Sequence, residues 1–402
     1  MQPNLRIGLL AAIPLVLLAV LIAAIIRLQP AEQLRPAGAP PVEKLTISRA
    51  TLAADGIHLS VLNDGPDPVT IAQVTVDDAY WTFTSKSGTT LNHLGSTSLH
   101  VPYPWVAGEA HLVKVLTATG TAFEHEIAVA VETPQVTRAQ LGSFALIGLY
   151  VGVLPVALGL CWYPVLARLG RKGLDVLLAV TIGLLGFLLV DAVNEGLEGA
   201  SGLADSFQGV ALFAGAAVAA YLALETTGAW LREARARRKQ AESSGAVLAL
   251  LIAIGIGLHN FGEGLAIGAA FALGEAALGT LLIVGFTLHN TTEGLAILAP
   301  IARERPSAWL LVKLGLIGGV PTIAGAWLGG FVYSRVAAVL CLGLGAGAIA
   351  QVIHQLAAQV GTSPAGASGG LLPAGARFAS APVMLGLLGG FAVMYATGTL
   401  VG

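Results

Sequence analysis

Eight apolar runs follow residue 138, and a ninth lies near the start of the chain. Each is long enough to cross a bilayer as a helix, which needs about 20 mostly apolar residues. Because lipid offers backbone groups no water, such runs fold as helices that satisfy their own hydrogen bonds. The predicted spans are 7–26, 141–166, 174–194, 207–230, 245–270, 276–300, 308–333, 336–359 and 381–401. The pattern therefore predicts a polytopic helical membrane protein.

The composition supports this class and excludes others. Only 11% of the residues are charged, whereas soluble domains carry about 25%. The shortage excludes an ordinary soluble enzyme, a disordered protein and a nucleic-acid binder, which would need a basic surface. The two cysteines, Cys161 and Cys341, lie in apolar runs. They exclude a disulfide framework and a thiolate-rich metal cluster.

Residues 29–138 have a different pattern, in which apolar and polar residues alternate over 57–61 and 123–131. Turn signals such as Asp55-Gly56 separate these runs, and short strands at this spacing predict a β-sandwich. The run 7–26 is long for a signal peptide and no clean cleavage motif follows it, which favours a retained anchor. The predicted domains are an N-terminal transmembrane anchor (1–28), a β-sandwich with its linker (29–138) and an eight-helix domain (139–402).

The positions of Lys and Arg predict the orientation. If the N-terminus is cytoplasmic, the basic segments 168–172 and 232–239 lie inside, and Arg335 is the one basic residue in the short outer loops of the bundle. This asymmetry predicts a multi-pass protein of the cell (plasma or inner) membrane with its β-domain and C-terminus outside. The outer loops carry acidic residues, which would either gather cations or serve as ordinary loop charges.

One internal repeat carries the chemistry. LHNFGEGLAI at 258–267 and LHNTTEGLAI at 288–297 match at eight of ten positions, thirty residues apart. The offset places one copy near the middle of each of two antiparallel helices. Within each copy His and Glu are four residues apart, on one helix face and about 6 Å apart along the axis. The four side chains are His259, Glu263, His289 and Glu293.

Two such faces turned toward each other would form a nitrogen and oxygen site suited to Zn²⁺. The same donors tolerate Fe²⁺, Mn²⁺ and Cd²⁺. The alternative is a pair of buried His–Glu contacts that lock two helices together. Ionisable groups at bilayer depth are expensive and mark functional pathways, so four of them in a duplicated pattern favour the metal site. The glycines after each Glu, Gly264 and Gly294, permit close helix approach.

The motifs HNFGEG and HNTTEG resemble the paired HNxPEG-type motifs on the fourth and fifth helices of the ZIP (Zrt/Irt-like) divalent metal transporters. The helix number of 139–402 and its basic stretch at 232–239 also match that family. The resemblance implies an eight-helix ZIP-like bundle, zinc transport toward the cytoplasm, and a homodimer. By position it makes the His/Glu quartet the main metal site and assigns Asn260 and Asn290 to a second, adjacent site.

The sequence departs from that family at three positions. Gly262 and Thr292 replace the motif's proline; Gly262 could keep some flexibility, and Thr292 could bond back to a backbone carbonyl. Thr322 stands where the family often has Glu. Without that carboxylate we expect one well-formed metal site rather than two.

Further polar residues suggest a track through the membrane. Asp191 is expected to be a ligand or a residue at the outer mouth, near Glu195, unless it is only a polar helix terminus. His354 would accept the ion on the inner side, near Glu225, unless it is a hydrogen-bonded core histidine. The β-domain holds five of the eight histidines, which would capture metal unless they are ordinary surface and core residues. Capping or assembly is the alternative task for this domain.

The sequence therefore predicts a transporter of divalent metal ions, most of all zinc, and not an enzyme. The expected partners are the metal ion, as cargo rather than cofactor, and the lipid bilayer. An intramembrane zinc-dependent hydrolase is the alternative, since bound zinc can activate water. The motif lacks the second His of H-E-x-x-H, which argues against it. A metal-sensing receptor that uses the outer domain is a third possibility.

Overall fold

The computed structural model describes residues 13, 14, 16–24, 27, 40–237, 244–273, 276–302, 304–332, 334–360 and 380–401. The predicted first span, 7–26, and the linker after it lie largely outside the described residues; the described residues of that span are helical. Among the described residues, seven helices are long and apolar enough to cross a membrane: Arg138–Leu166, Lys172–Ser201, Asp205–Leu231, Gly245–Ala272, Leu278–Ile301, Ala308–Val332 and Arg335–Gln359. They agree with a multi-pass membrane protein. The predicted last span forms the helix Ala381–Val401.

The β-domain has two antiparallel sheets. Its strands are β1 Leu45–Ala53, β2 Gly56–Asn63, β3 Val69–Val76, β4 Ala79–Trp81, β5 Thr84–Ser85, β6 Thr90–Leu91, β7 Ser96–Val101, β8 His111–Thr117 and β9 Ala122–Ile127. One sheet has the order β1-β2-β7-β5 and the other β4-β3-β8-β9, with β6 paired to β3. Inward side chains of both sheets, such as Leu59, Leu99 and Val113, form one buried core. This is the layering of a sandwich, held together by apolar burial.

The strand expected over 123–131 is shorter than its alternation suggests. β9 ends at Ile127, which pairs with His111, the first residue of β8. Beyond that point β9 has no partner strand, and the backbone of Ala130 bonds instead to Gly108 and Glu109. Val129 and Val131 are accordingly exposed. The prediction was wrong there because a strand ends where its partner ends.

The helices of the bundle are α1 Arg138–Gly148, α2 Leu154–Leu160, α3 Tyr163–Leu166, α4 Arg171–Ser201, α5 Gly209–Arg237, α6 Ser244–Ala272, α7 Ala276–Leu298, α8 Ala308–Gly319, α9 Pro321–Val332, α10 Arg335–Gln359 and α11 Ala381–Val401. A π-helical turn, Leu149–Val153, joins α1 to α2 just before Pro155. A second break separates α8 from α9 at Pro321. Proline has no backbone N–H and clashes with the preceding turn, which accounts for both breaks.

Glycines bring the two motif helices close to other helices. A Cβ on Gly264 of α6 would lie 2.1 Å from the backbone oxygen of Thr322 in α9. A Cβ on Gly294 of α7 would lie 2.3 Å from the backbone oxygen of Val156 in α2. Each motif glycine therefore permits a close helix contact, but with a different third helix rather than with the other motif helix.

A buried carboxylate joins the β-domain to the bundle. Asp64 accepts hydrogen bonds from the backbone N–H groups of Asp205 (2.7 Å) and Ser206 (3.1 Å), between α4 and α5. The Lys44 Nζ lies 3.2 Å from the same carboxylate and also contacts Asp205. Burial alone would raise the pKa of Asp64, but the hydrogen bonds outweigh it and hold the pKa below its usual value. The carboxylate therefore stays charged at neutral pH.

Candidate metal centre

The structure brings the His/Glu quartet of α6 and α7 together inside the bundle. His259 Nε2 lies 3.2 Å from Glu263 Oε1, and His289 Nε2 contacts the same oxygen. The imidazole rings of His259 and His289 are 6.3 Å apart between centroids. Ligand atoms of His259, His289 and Glu293 all lie within 4.8 Å of one another. These are the nitrogen and oxygen donors that zinc prefers, in reach of one point.

The two carboxylates differ in their surroundings. Glu263, which we call the bridged carboxylate, contacts both imidazoles through Oε1 and accepts a hydrogen bond from Asn290 Nδ2 (2.9 Å) through Oε2. Glu293, which we call the open carboxylate, is only 2% exposed, yet within the described part of the chain neither of its oxygens has a hydrogen-bond partner. Burying a charge without a partner is expensive. The open carboxylate is therefore a place where a cation would be strongly attracted.

The two motif asparagines donate hydrogen bonds to backbone carbonyls at the helix breaks. Pro155 leaves the carbonyl four residues before it without an intrahelical donor, and Asn290 Nδ2 donates to that oxygen, Val151 O, at 2.9 Å. Asn260 Nδ2 donates to Gly318 O at 3.0 Å, beside the second break. The sequence analysis missed this role, although the prolines were its signal. The asparagine Oδ1 atoms are buried and, among the described residues, accept no hydrogen bond.

Thr322 does not extend the cluster. Its side chain is fully buried and packs on the π-helical turn, so that a Cβ on Gly152 would lie 2.1 Å from Thr322 Oγ1. A larger acidic side chain would meet that backbone. On the motif helices themselves, Thr292 Oγ1 donates to the His289 carbonyl at 2.6 Å, which is the back-bonding considered for the residue that replaces proline.

A small cavity of about 20 Å³ lies against the quartet and is lined by Asp191 and Glu195 of α4 as well as by His259, Glu263 and His289. A cavity needs roughly 10–15 Å³ to hold one water, so this one is the size of a single small solute. It shares Glu195 with a vestibule of about 660 Å³ that extends to Arg335. Asp191 and Glu195 therefore place two carboxyl groups beside the small cavity, and Glu195 also lines the vestibule.

His354 lies apart from the quartet. Its Nδ1 is 2.8 Å from the Tyr221 hydroxyl, and the two rings are stacked. It lines a separate cavity of about 310 Å³ together with Glu225, whose carboxylate accepts a hydrogen bond from Gln351 at 3.1 Å. This is the hydrogen-bonded arrangement considered as the alternative for this histidine, although its exposed position leaves it accessible.

An apolar layer separates the two cavities. On α6, Leu248 lines the cavity of His354, and His259 is the first residue of the quartet. The buried residues between Leu248 and His259 include Ile252 and Ile256. On α10 the buried Val352 occupies the same level. The small cavity beside His259, Glu263 and His289 therefore shares lining with the vestibule, whereas these three residues do not line the cavity of His354.

Comparison with known proteins adds no identity. No family model matches the chain, and no curated protein matches it. The resemblance to ZIP transporters accordingly depends on the paired motif and the helical pattern. The geometry of the quartet is therefore the main evidence for a function.

Proposed function

We propose that this protein carries divalent metal ions, zinc above all, through a membrane by way of the His/Glu quartet, as a ZIP-like transporter. The observation that carries the proposal is the open carboxylate, the buried carboxyl group of Glu293, whose ligand oxygen lies within 4.8 Å of ligand nitrogens of two histidines. An arrangement built only to lock α6 to α7 would pair both carboxylates. Here one carboxylate contacts both imidazoles and the other has its oxygens available to a cation.

The route of the cation follows from the charges that line the cavities. Asp191 and Glu195 raise the local concentration of cations at the inner end of the vestibule. At the quartet, imidazole nitrogens and carboxylate oxygens replace the water of the hydrated ion. The asparagine Oδ1 atoms are further oxygen donors on the same helices. A neutral path would leave the ion without compensation for its lost water.

Release on the other side requires the apolar layer to open. The quartet adjoins the vestibule near the β-domain, and transport toward the cytoplasm would expose it to the cavity of Glu225 and His354 instead. Protons compete with the cargo, because histidine and glutamate bind metals in their unprotonated forms. Zinc uptake is therefore expected to fall as the pH is lowered.

Uptake of radioactive zinc into proteoliposomes tests this function. His259→Ala and Glu293→Ala should each reduce uptake at least tenfold, because each removes a ligand from the quartet. His125→Ala, in the β-domain, serves as the matched control and should keep the wild-type rate. Wild-type uptake by correctly inserted His259→Ala and Glu293→Ala proteins would refute the proposal. Zinc-dependent hydrolysis of a peptide or lipid without net flux would favour the intramembrane hydrolase.

A further inference from the structure

Two β-domain histidines meet an aspartate on the outer face of one sheet. His58 of β2 and His100 of β7 are directly paired across the strands, and their rings stack with centroids 4.5 Å apart. Asp55, in the turn between β1 and β2, lies with its Oδ1 3.0 Å from His58 Nε2 and its Oδ2 3.5 Å from His100 Nε2. The three ligand atoms lie within 4.8 Å of one another.

The local sequence explains this convergence. β2 alternates between the core and the outer face, so His58 points away from the core that buries Ile57 and Leu59. Gly56 has a φ of +135°, and a Cβ there would lie 2.2 Å from the backbone oxygen of Val101. Because glycine lets the turn approach the end of β7 this closely, Asp55 reaches His100 as well as its own neighbour His58.

The remaining histidines of the β-domain have other surroundings. His93 Nδ1 lies 2.8 Å from the Gly65 carbonyl, and His111 Nδ1 lies 2.8 Å from Asp77 Oδ2. His125 belongs to neither of the two candidate metal-ligand groups found among the described residues. The domain therefore concentrates its ligand chemistry at one place rather than spreading it over five histidines.

We propose that Asp55, His58 and His100 form a second site for a divalent cation of the zinc class. Two imidazole nitrogens and one carboxylate are three protein ligands, and zinc sites of this kind keep a fourth position for water. The side chains of His58 and His100 are 33% and 32% exposed, so an ion can enter from solvent. The site is accordingly one that binds and releases its ion readily.

The geometry of the cluster favours binding. Both carboxylate oxygens of Asp55 face the cluster, Oδ1 toward His58 Nε2 and Oδ2 toward His100 Nε2. His100 Nε2 also lies 3.0 Å from the Asp55 backbone oxygen. To bind a cation through Nε2, each neutral imidazole would carry its single ring proton on Nδ1.

The second site is independent of the quartet. The same sheet face continues through Ser60 and Leu62 into a groove of about 350 Å³ between the β-domain and the bundle. Arg49 lines this groove but not the vestibule, and its positive charge opposes the passage of a cation along the groove. The β-domain site should therefore fill from the surrounding water, whether or not the quartet binds metal.

Zinc binding by the full-length protein in detergent tests the proposal. Equilibrium dialysis should show that His58→Ala/His100→Ala loses one bound zinc per chain relative to the wild type, while the matched control His93→Ala/His125→Ala loses none. His289→Ala/Glu293→Ala reports on the quartet alone, so failure of the proposed transport site is distinguishable from failure of this one. An unchanged zinc content in a folded His58→Ala/His100→Ala protein would overturn the proposal.

Asp55→Asn provides a milder second variant, which keeps the shape of the side chain if the double variant does not fold. It should weaken zinc binding at this site at least tenfold, while circular dichroism shows unchanged β-structure. Wild-type zinc affinity at this site in Asp55→Asn would likewise overturn the proposal.

Discussion

The two copies of the motif have nearly the same sequence and opposite surroundings. The carboxylate of the first copy, Glu263, contacts two imidazoles and one amide. The carboxylate of the second copy, Glu293, is the open carboxylate. Both histidines turn toward Glu263, and the other side chain is left for an added positive charge. The comparison teaches that a duplicated sequence can give its two carboxylates different surroundings, one in contact with both imidazoles and the other without a hydrogen-bond partner among the described residues.

The neighbours of the two helices explain the difference. α6 is the more buried helix and packs on α9, whereas α7 is more exposed and packs on α2. Asn290 reaches across to Glu263 while it also holds the π-helical turn. Asn260 holds the α8 break at Gly318. The second copy thus contributes a hydrogen bond to the first carboxylate, Glu263, whereas Asn260 of the first copy donates to the Gly318 carbonyl.

The largest expected effect separates the two carboxylates. Without zinc, Glu263→Gln should lower the free energy of unfolding by about 3 kcal/mol, because it breaks a buried ionic contact. Glu293→Gln should raise it by about 1 kcal/mol, because it replaces a buried ionisable group whose oxygens have no hydrogen-bond partner among the described residues. Thermal unfolding in detergent, with and without zinc, measures both. Zinc should stabilise the wild type but neither variant. Shifts in the same direction without zinc would contradict this difference between the two carboxylates.

The glycine substitutions have the next largest expected effect on stability. Gly264→Ala and Gly294→Ala should each destabilise the protein by about 1–3 kcal/mol, since the new methyl group meets a backbone oxygen that cannot easily move. Gly262→Ala is the matched control: no atom beyond its own helix backbone and immediate neighbours lies within 4 Å of its Cβ position among the described residues. It should gain up to about 1 kcal/mol from helix propensity. Unfolding midpoints of the three variants decide this, and a neutral Gly294→Ala would disprove the close α7–α2 contact.

The two asparagine substitutions should differ by a smaller amount in the free energy of unfolding. Asn290→Ala removes hydrogen bonds to both Glu263 and Val151 and should destabilise the protein by about 2–3 kcal/mol, whereas Asn260→Ala removes the bond to Gly318 and should cost about 1 kcal/mol. Urea or thermal unfolding under identical conditions gives the difference. Equal losses in the two variants would show that the bond from Asn290 to the bridged carboxylate adds nothing.

The smallest effect is expected at the positions that replace the family's proline. Thr292→Val removes the hydrogen bond from the hydroxyl to the His289 carbonyl. Such back-bonds are neutral or slightly unfavourable in helices, so stability should change by less than about 0.5 kcal/mol, within the range usual for mild substitutions. A loss of zinc uptake with unchanged stability would instead show that the Thr292 hydroxyl matters for transport.

The candidate site shows where prediction from sequence stops. The four-residue spacing of His259 and Glu263, and of His289 and Glu293, is a local property of a helix and was readable directly. Which carboxylate both histidines face depends on how far α6 and α7 are rotated about their axes. That rotation is decided by the glycine contacts with α9 and α2, which lie elsewhere in the sequence. The pairing of His58 with His100 has the same origin, because strand register joins segments 42 residues apart.

By itself, the sequence determined the membrane-crossing helices, the alternating strands and the placement of two His/Glu pairs at mid-helix. Each of these follows from the spacing of apolar and polar residues along a single helix or strand. That spacing decides which side chains of the element can be buried, without reference to the rest of the chain. Only the tertiary structure decided that β9 ends at Ile127, that the asparagines hold the helix breaks and that Glu293 stays open. These depend on which surfaces pack together, and packing is a property of the whole chain rather than of any one segment.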